Sequence, residues 1–282
     1  MLHTHRTGTV SLKNESQLTA MRAAGRLSAE CLARVVSRVA PGITTLDLDD
    51  LVVAFAKKHG ATPAPFGYRG FPRSVCTSIN EVICHGIPDR TAVLREGDIV
   101  GIDVALILDG FHGDNAATVA VGAIDEPARK LLCATLEAQR RAVAAVRPGA
   151  RLGDIGHAIQ SHVEPLGYSV VRDFVGHGVG RRFHEEPQVL HYGAPGTGPR
   201  LRAGLTFTIE PMINAGSPGI QILADGWTAL TADRSLSAQY EHTLEVTADG
   251  VRVLTVQNDE GTWEPPGRWW PPGFETDQRT RA

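Results

Sequence analysis

The chain has 282 residues, 42% of them hydrophobic and 21% charged, a globular composition long enough to bury one large core or two small ones. A formal net charge of -3 leaves no excess of cations to neutralise a phosphate backbone, which argues against nucleic acid as a main partner. No apolar run reaches the roughly 18 residues that a membrane helix needs. Four cysteines without a C-x-x-C pair, and no charged-then-apolar leader, point to a reduced, cytoplasmic setting.

In chain order, Leu18, Met21, Leu32, Val35 and Val39 recur at near-helical spacing from about Ser16, and Pro41-Gly42 stops the pattern. A second helix is predicted from Thr45, whose hydroxyl can cap it, with Leu48, Leu51, Val52 and Phe55 on one face and Gly60 beyond its end. Leu94-Arg95-x-Gly97 then leads into a strand from Asp98 to Leu108, and Asp109-Gly110 is a strong two-residue hairpin signal. If that turn is used, Asp103 faces Ala116, and Asp114 lies two positions further along the same face. Such diagonal neighbours are roughly 7 to 8 Å apart at the backbone.

The same grammar then returns. A helical pattern with Leu132, Leu136, Val143 and Val146 runs into Pro148-Gly149, and another helix is expected from about Leu152. Pro41 recurs as Pro148 and Leu94-Arg95 as Leu201-Arg202, both at an offset of 107 residues (41 to 148, 94 to 201). The same offset carries Asp103 onto Glu210, in a second strand-like run from Leu205 to Ile213. Two units at so long a period imply fused half-domains about a pseudo-twofold axis, with a site where they meet.

In that second run Leu205, Phe207, Ile209 and Ile213 point one way, leaving Thr206, Thr208 and Glu210 on the other face. Tyr240, His242, Leu244 and Val246 likewise set Glu241 opposite an apolar stripe, with Glu245 on the same face as Glu241. Four interior acids would repel one another at neutral pH unless cations lay between them. His177, in Gly176-His177-Gly178-Val179-Gly180, offers a nitrogen ligand beside small neighbours that permit a tight approach. From about Gln257 the chain is rich in Pro, Gly and Trp (Trp263, Trp269, Trp270), a composition that makes an irregular extension.

From about residue 12 to 255 the chain resembles the type I, bacterial-type methionine aminopeptidases. The stretches that carry the resemblance are Ser78-Ile-Asn-Glu-Val-Ile-Cys-His-Gly-Ile-Pro88, Ile102-Asp-Val through Asp109-Gly-Phe-His-Gly-Asp114, Gly176-His-Gly-Val-Gly180, Phe183-His-Glu-Glu-Pro187, Thr208-Ile-Glu-Pro-Met212 and Ser237-Ala-Gln-Tyr-Glu-His242. It implies an α/β pita-bread (creatinase/aminopeptidase) fold of two pseudo-twofold-related halves. The domains expected are an extension over 1–15, one catalytic domain over 16–256 with halves of about 16–122 and 123–256, and a tail over 257–282.

The resemblance further implies two divalent metal ions (Co, Mn, Fe or Zn) held by Asp103, Asp114, His177, Glu210 and Glu241, with Asp114 and Glu241 bridging. Asp103 would complete one ion, and His177 with Glu210 the other. Glu210 would also move protons, and His85 and His184 would hydrogen-bond the substrate amide and the tetrahedral intermediate. Tyr68, Phe71, Cys76, His85, Phe183, His184 and Trp227 would form the methionine pocket. The chain departs from the family's pattern at Pro65 and Arg69, where bacterial relatives often carry Cys and His.

The implied activity is removal of the initiator methionine from nascent proteins and peptides, preferably ahead of a small second residue, by attack of a hydroxide shared between the two ions. A monomer in the cytoplasm, with transient ribosome association and no membrane or specific nucleic acid, is expected. Prolidases and aminopeptidase P share the fold but carry a substantial domain before it, whereas the first helix here is predicted near Ser16. A binding protein that has lost its ligands would not retain five ligand-competent side chains.

Overall fold

The computed structural model describes residues 9–265. Four helices, α1 (Glu15–Val36), α2 (Thr45–Lys58), α3 (Glu126–Ala144) and α4 (Leu152–Val163), pack on a sheet. The strands before α3 are β1 (Thr62–Pro63), β2 (Cys76–Ile79), β3 (Val82–Cys84), β4 (Ile99–Leu108) and β5 (Phe111–Ala120). Those after α4 are β6 (Ser169–Val170), β7 (Gly176–Gly178), β8 (Glu185–Val189), β9 (Thr206–Ile209), β10 (Met212–Asn214), β11 (Ile220–Ile222), β12 (Ala229–Thr231), β13 (Ser237–Val246) and β14 (Val251–Val253).

Local chemistry sets the element ends. Asn14 caps α1 by accepting from the Gln17 N–H while the Gln17 side chain accepts from the Asn14 N–H, a reciprocal box that satisfies two otherwise orphaned donors. At α2 the capping residue is Thr44, one position before the Thr45 expected from sequence. The Thr44 side chain accepts from the Asp47 N–H, and Asp47 reaches back to the Thr44 N–H. The Thr45 hydroxyl instead donates to the Asp89 carbonyl. Asp109 and Gly110 both take positive φ (51° and 77°), the conformation that a two-residue turn between twisted strands requires, and this fixes the β4–β5 register with Asp103 opposite Ala116.

The sheet order β4-β5-β13-β9 is symmetric about the line between β5 and β13. Each side supplies an antiparallel pair, β4 with β5 and β9 with β13, and each is preceded in sequence by two helices. One apolar core lies beneath α1 and α2, with Leu32, Val35, Leu48 and Val52 against Val100, Ile102 and Val104 of β4. The other lies beneath α3 and α4, with Leu131, Leu132, Ile155 and Ile159 against Phe207 and Ile209 of β9. Gly113 is required where α1 crosses β5, because a Cβ there would collide with the Ala24 carbonyl. Among the described residues, no helix is long and apolar enough to cross a membrane.

The strand expected from Leu205 to Ile213 is in fact two. β9 ends at Ile209, β10 begins at Met212, and Glu210-Pro211 lies between them because proline has no N–H to give a ladder. Both pieces keep one continuous register with β13, since Ile209 pairs with His242 and Met212 with Gln239. Glu210 is thereby left opposite Glu241. The tail is irregular as far as residue 265, with Trp263 packed against both cores and its indole N–H donating to Gln139. Trp269 and Trp270 lie outside the described residues.

Candidate metal centre

The central strands bring the acids together. Asp103 on β4 and Glu241 on β13 both stand across from Ala116 on β5, and Asp114 is two positions along β5 on the same face. Ligand atoms of Asp114, His177 and Glu241 all lie within 4.8 Å of one another. Nε2 of His177 is 3.5 Å from Asp114 Oδ2 and 3.7 Å from Glu210 Oε1. Asp103 falls outside the tightest trio but acts electrostatically on Glu241, as do Asp114 and Glu210.

Hydrogen bonds aim these side chains. His177 donates from Nδ1 to the Gly178 carbonyl at 2.9 Å, which fixes the tautomer and leaves Nε2 free toward the carboxylates. The Thr208 hydroxyl donates to Glu210 Oε1 at 2.7 Å, and the Gln239 amide donates to Oε2 at 3.4 Å. Backbone atoms of Asp114 are held on both sides by the Thr243 hydroxyl, at 3.2 and 2.8 Å. Glu245, which shares a strand face with Glu241, is instead tied up by Arg22 at 2.9 Å.

Burial followed by the neighbouring carboxylates pushes Asp103 and Glu241 well above the ordinary range, and burial with the Asp114 charge carries Glu210 up to about 7 against the pull of His177. Burial alone would lower His177, but its contact with Asp114 and the charges of Glu210 and Asp114 raise it to about 9. Crowded, desolvated acids around one imidazole are stabilised when a divalent cation shares their oxygens, and an oxygen-rich shell with one nitrogen suits Mn, Fe, Co or Zn. The donor set therefore fits a divalent metal.

Rings wall the centre. Tyr68 stacks on His184 at 5.1 Å and meets Phe183 edge-on at 5.1 Å, while His184 lies 4.0 Å from His177 between ring centres. Phe71 and Trp227 meet edge-on at 5.2 Å, and Trp227 reaches His85 at 6.1 Å. Cys76, buried, pairs with Asp103 across β2 and β4. Of the seven side chains expected in the pocket, Tyr68, Phe183 and His184 thus adjoin His177, Cys76 lies across from Asp103, and Phe71, His85 and Trp227 form a second ring group. His112 stacks on Phe183 at 5.4 Å and donates to the Gly180 carbonyl at 2.9 Å, whereas His242 turns away to bridge the Thr255 hydroxyl and the Glu264 carbonyl at 2.9 and 2.7 Å.

Three contributors escaped the sequence reading. Phe174 packs edge-on to His85 at 5.3 Å. Gln239 holds Glu210. His191, fully buried, accepts the Glu210 N–H. Gln239 was within reach, since it shares a strand face with Glu241, but neither Phe174 nor His191 sits in a periodic pattern.

A two-layered sheet-and-helix body with an acid-and-imidazole cage between symmetric halves defines a metal-dependent peptidase of the pita-bread fold. The Peptidase_M24 model (metallopeptidase family M24) matches residues 19–248, and the chain belongs to that family, within its methionine aminopeptidase branch. It is 54% identical over 248 residues to methionine aminopeptidase A of Synechocystis, covering 88% of this chain and 98% of the relative. The crystal structure of methionine aminopeptidase from Rickettsia prowazekii superposes with a TM-score of 0.87 at 49% identity, covering 88% of this chain and all (100%) of that one. A prolidase from Pyrococcus furiosus, at 22% identity and TM-score 0.71 over 88% of this chain and 66% of its own, shares the fold alone.

Proposed function

We infer that the chain removes N-terminal methionine from peptides and nascent proteins, using two divalent ions held by Asp103, Asp114, His177, Glu210 and Glu241. The observation that carries this reading is the convergence of Asp114, His177 and Glu241 ligand atoms within 4.8 Å at the junction of the halves. Asp114, His177 and Glu241 would form the heart of the site that holds both ions, with Asp103 and Glu210 completing it. When bound, such a pair shares a water, lowers its pKa and offsets charge developing on the scissile carbonyl oxygen.

The side chains supply the rest. Glu210, with Oε1 engaged by Thr208, would accept a proton from the attacking water and return it to the leaving amine. Burial lowers His85 to about 4, so at neutral pH its ring is uncharged and can donate one hydrogen bond to the substrate amide. His184, lowered by burial and then by His177, stands as the second such donor beside Tyr68. Tyr68, Phe71, Phe183 and Trp227 with the Cys76 sulfur form an apolar slot suited to a thioether. A preference for a small second residue is part of this reading. Action as a cytoplasmic monomer on chains at the ribosome completes the reading.

The test is hydrolysis of Met-Gly-Met-Met against Met-Pro and Xaa-Pro peptides by metal-stripped protein, with Co, Mn, Fe or Zn restored. Metal-dependent methionine release from the first peptide supports the reading. Cleavage only ahead of proline would move the activity to the prolidases, and no cleavage with any metal would refute it.

A further inference from the structure

We propose that His191 is a positioning residue for Glu210, and through it for the metal centre: its ring holds the Glu210 backbone where the strand ladder has been interrupted. The proposal rests on the assignment of Glu210 as a metal ligand. Glu210 belongs to neither β9 nor β10, and the Pro211 that follows it breaks the strand. The Glu210 N–H donates to His191 Nε2 at 3.2 Å in place of a neighbouring strand. Thr208 and Gln239 fix the carboxylate of Glu210, whereas His191 is the contact that fixes its main chain.

The imidazole is chosen for its acceptor and not for packing. His191 has 0% exposure, and because Nε2 accepts, the proton sits on Nδ1, which finds no hydrogen-bond partner among the described residues. A buried donor left unpaired works against stability, so an apolar side chain of similar size would pack with less cost at this position. What an apolar side chain could not provide is the acceptor for Glu210.

The segment that carries the ring is itself pinned. Gly156 of α4 lies so close to the carbonyls of Leu190 and Tyr192, on either side of His191, that a Cβ would collide with both. The Gly193 N–H donates to Gln160 of the same helix at 3.0 Å. The helix α4, the 190–193 segment, His191 and Glu210 therefore form one continuous line of support from the second core to the centre.

The experiment compares His191→Leu, which keeps bulk without an acceptor, with His191→Gln, whose Oε1 reaches the position of Nε2. Calorimetric titration of the metal-free proteins with Mn²⁺ and steady-state hydrolysis of Met-Gly-Met-Met are both read. The expected result for His191→Leu is Mn²⁺ binding weakened by about 10 to 100-fold, with kcat falling to a similar extent and KM within about threefold of wild type. His191→Gln should restore both to within about threefold.

Wild-type values in His191→Leu, or equal impairment of His191→Gln and His191→Leu, would overturn the proposal, the latter by showing a packing role only. If His191→Leu does not fold, His191→Asn replaces it, because its carbonyl reaches the Nδ1 position and not Nε2. Asn impaired and Gln active then supports the proposal, and equal behaviour refutes it. A wild-type protein that bound Mn²⁺ without releasing methionine would sink the proposed activity while leaving the affinity comparison to judge His191 by itself.

Discussion

Asp103 and Glu241 stand across from the same small residue, Ala116, from the two strands that flank it. Ala116 is 1% exposed, and its methyl group is the side chain that β5 sets between the two acids in that row. Ala116→Leu would place three more carbons between the acids. Overpacking of this kind costs roughly 1 to 3 kcal/mol of stability, and the displaced carboxylates should cost at least tenfold in Mn²⁺ affinity. Calorimetry on Ala116→Leu and Ala116→Gly separates the effects. Tight binding by Ala116→Leu would show that the row does not set the carboxylate spacing.

The charge pattern predicts an unusual pH dependence for the metal-free protein between pH 6.5 and 9. His177 is raised from 6.5 to about 9, so the folded protein holds that proton while the unfolded chain releases it. Stability must fall as pH rises through this window. Glu210, raised from 4.5 to about 7, adds to the fall at its lower end. His85, His191 and His242, lowered to about 4, about 3 and about 4, are neutral in both states above 6.5 and drop out, whereas below 6.5 they pull the other way. Melting temperatures in chelator at half-unit steps should therefore decline from pH 6.5 to 9, and His177→Gln should flatten the decline. A melting temperature that rises over this range would contradict the arrangement of charges.

How much of this could be read from sequence depended on the range of the interaction. The β4–β5 hairpin was legible because Asp109-Gly110 dictates both turn and register locally, and that placed Asp103 opposite Ala116 with Asp114 beside it. The alternation around Phe207 and Ile209 likewise separated core from site face, with Thr208 and Glu210 together on the latter. What sequence did not carry was pairing between distant strands. That Glu210 would lie opposite Glu241 follows from the common register of β9 and β10 on β13, which no local spacing encodes. His191 follows a strand of mixed burial, and its role arises from where α4 presses the chain.

Asp114→Asn should all but abolish activity. Its backbone is secured by Thr243 through both N–H and carbonyl, so the substitution changes the carboxylate and leaves the strand in place. Because Asp114 is the acid that shares the close trio with both His177 and Glu241, its loss should weaken both ions together. Saturation of wild type at one hundred times Kd is worth about 2.7 kcal/mol. The rise in melting temperature on adding Mn²⁺ should accordingly disappear in the variant. Full activity would refute the ligand assignment.

His184→Ala and His85→Ala should behave differently from that. Neither imidazole belongs to the close trio of Asp114, His177 and Glu241, and each stands among aromatic rings, His184 on Tyr68 and His85 beside Phe174 and Trp227. Removing one donor to a developing oxyanion costs roughly 10² to 10³-fold in turnover. A fall of that order in kcat is expected with Mn²⁺ stoichiometry and affinity unchanged. Loss of metal along with turnover would make the histidines part of the ligand support.

Trp263 tests whether the tail belongs to the folded body. Its ring is half-buried against both cores, its N–H reaches Gln139 at 3.3 Å, and the next residue offers the carbonyl that satisfies His242. His242 in turn follows Glu241 on β13, so the tail braces the strand that bears a proposed metal ligand, but from the opposite face. Truncating a fully buried tryptophan costs about 3 to 5 kcal/mol, and a half-buried one should lose about 2. For a domain of this size that is a melting temperature lower by about 4 to 8 °C. Because the brace acts on the face away from the centre, Mn²⁺ affinity and kcat at 25 °C should stay within about twofold in Trp263→Ala. An unchanged melting temperature would mean that the contact contributes no stability, and a large loss of affinity would mean that the tail sets the position of Glu241 as well as the stability of its strand.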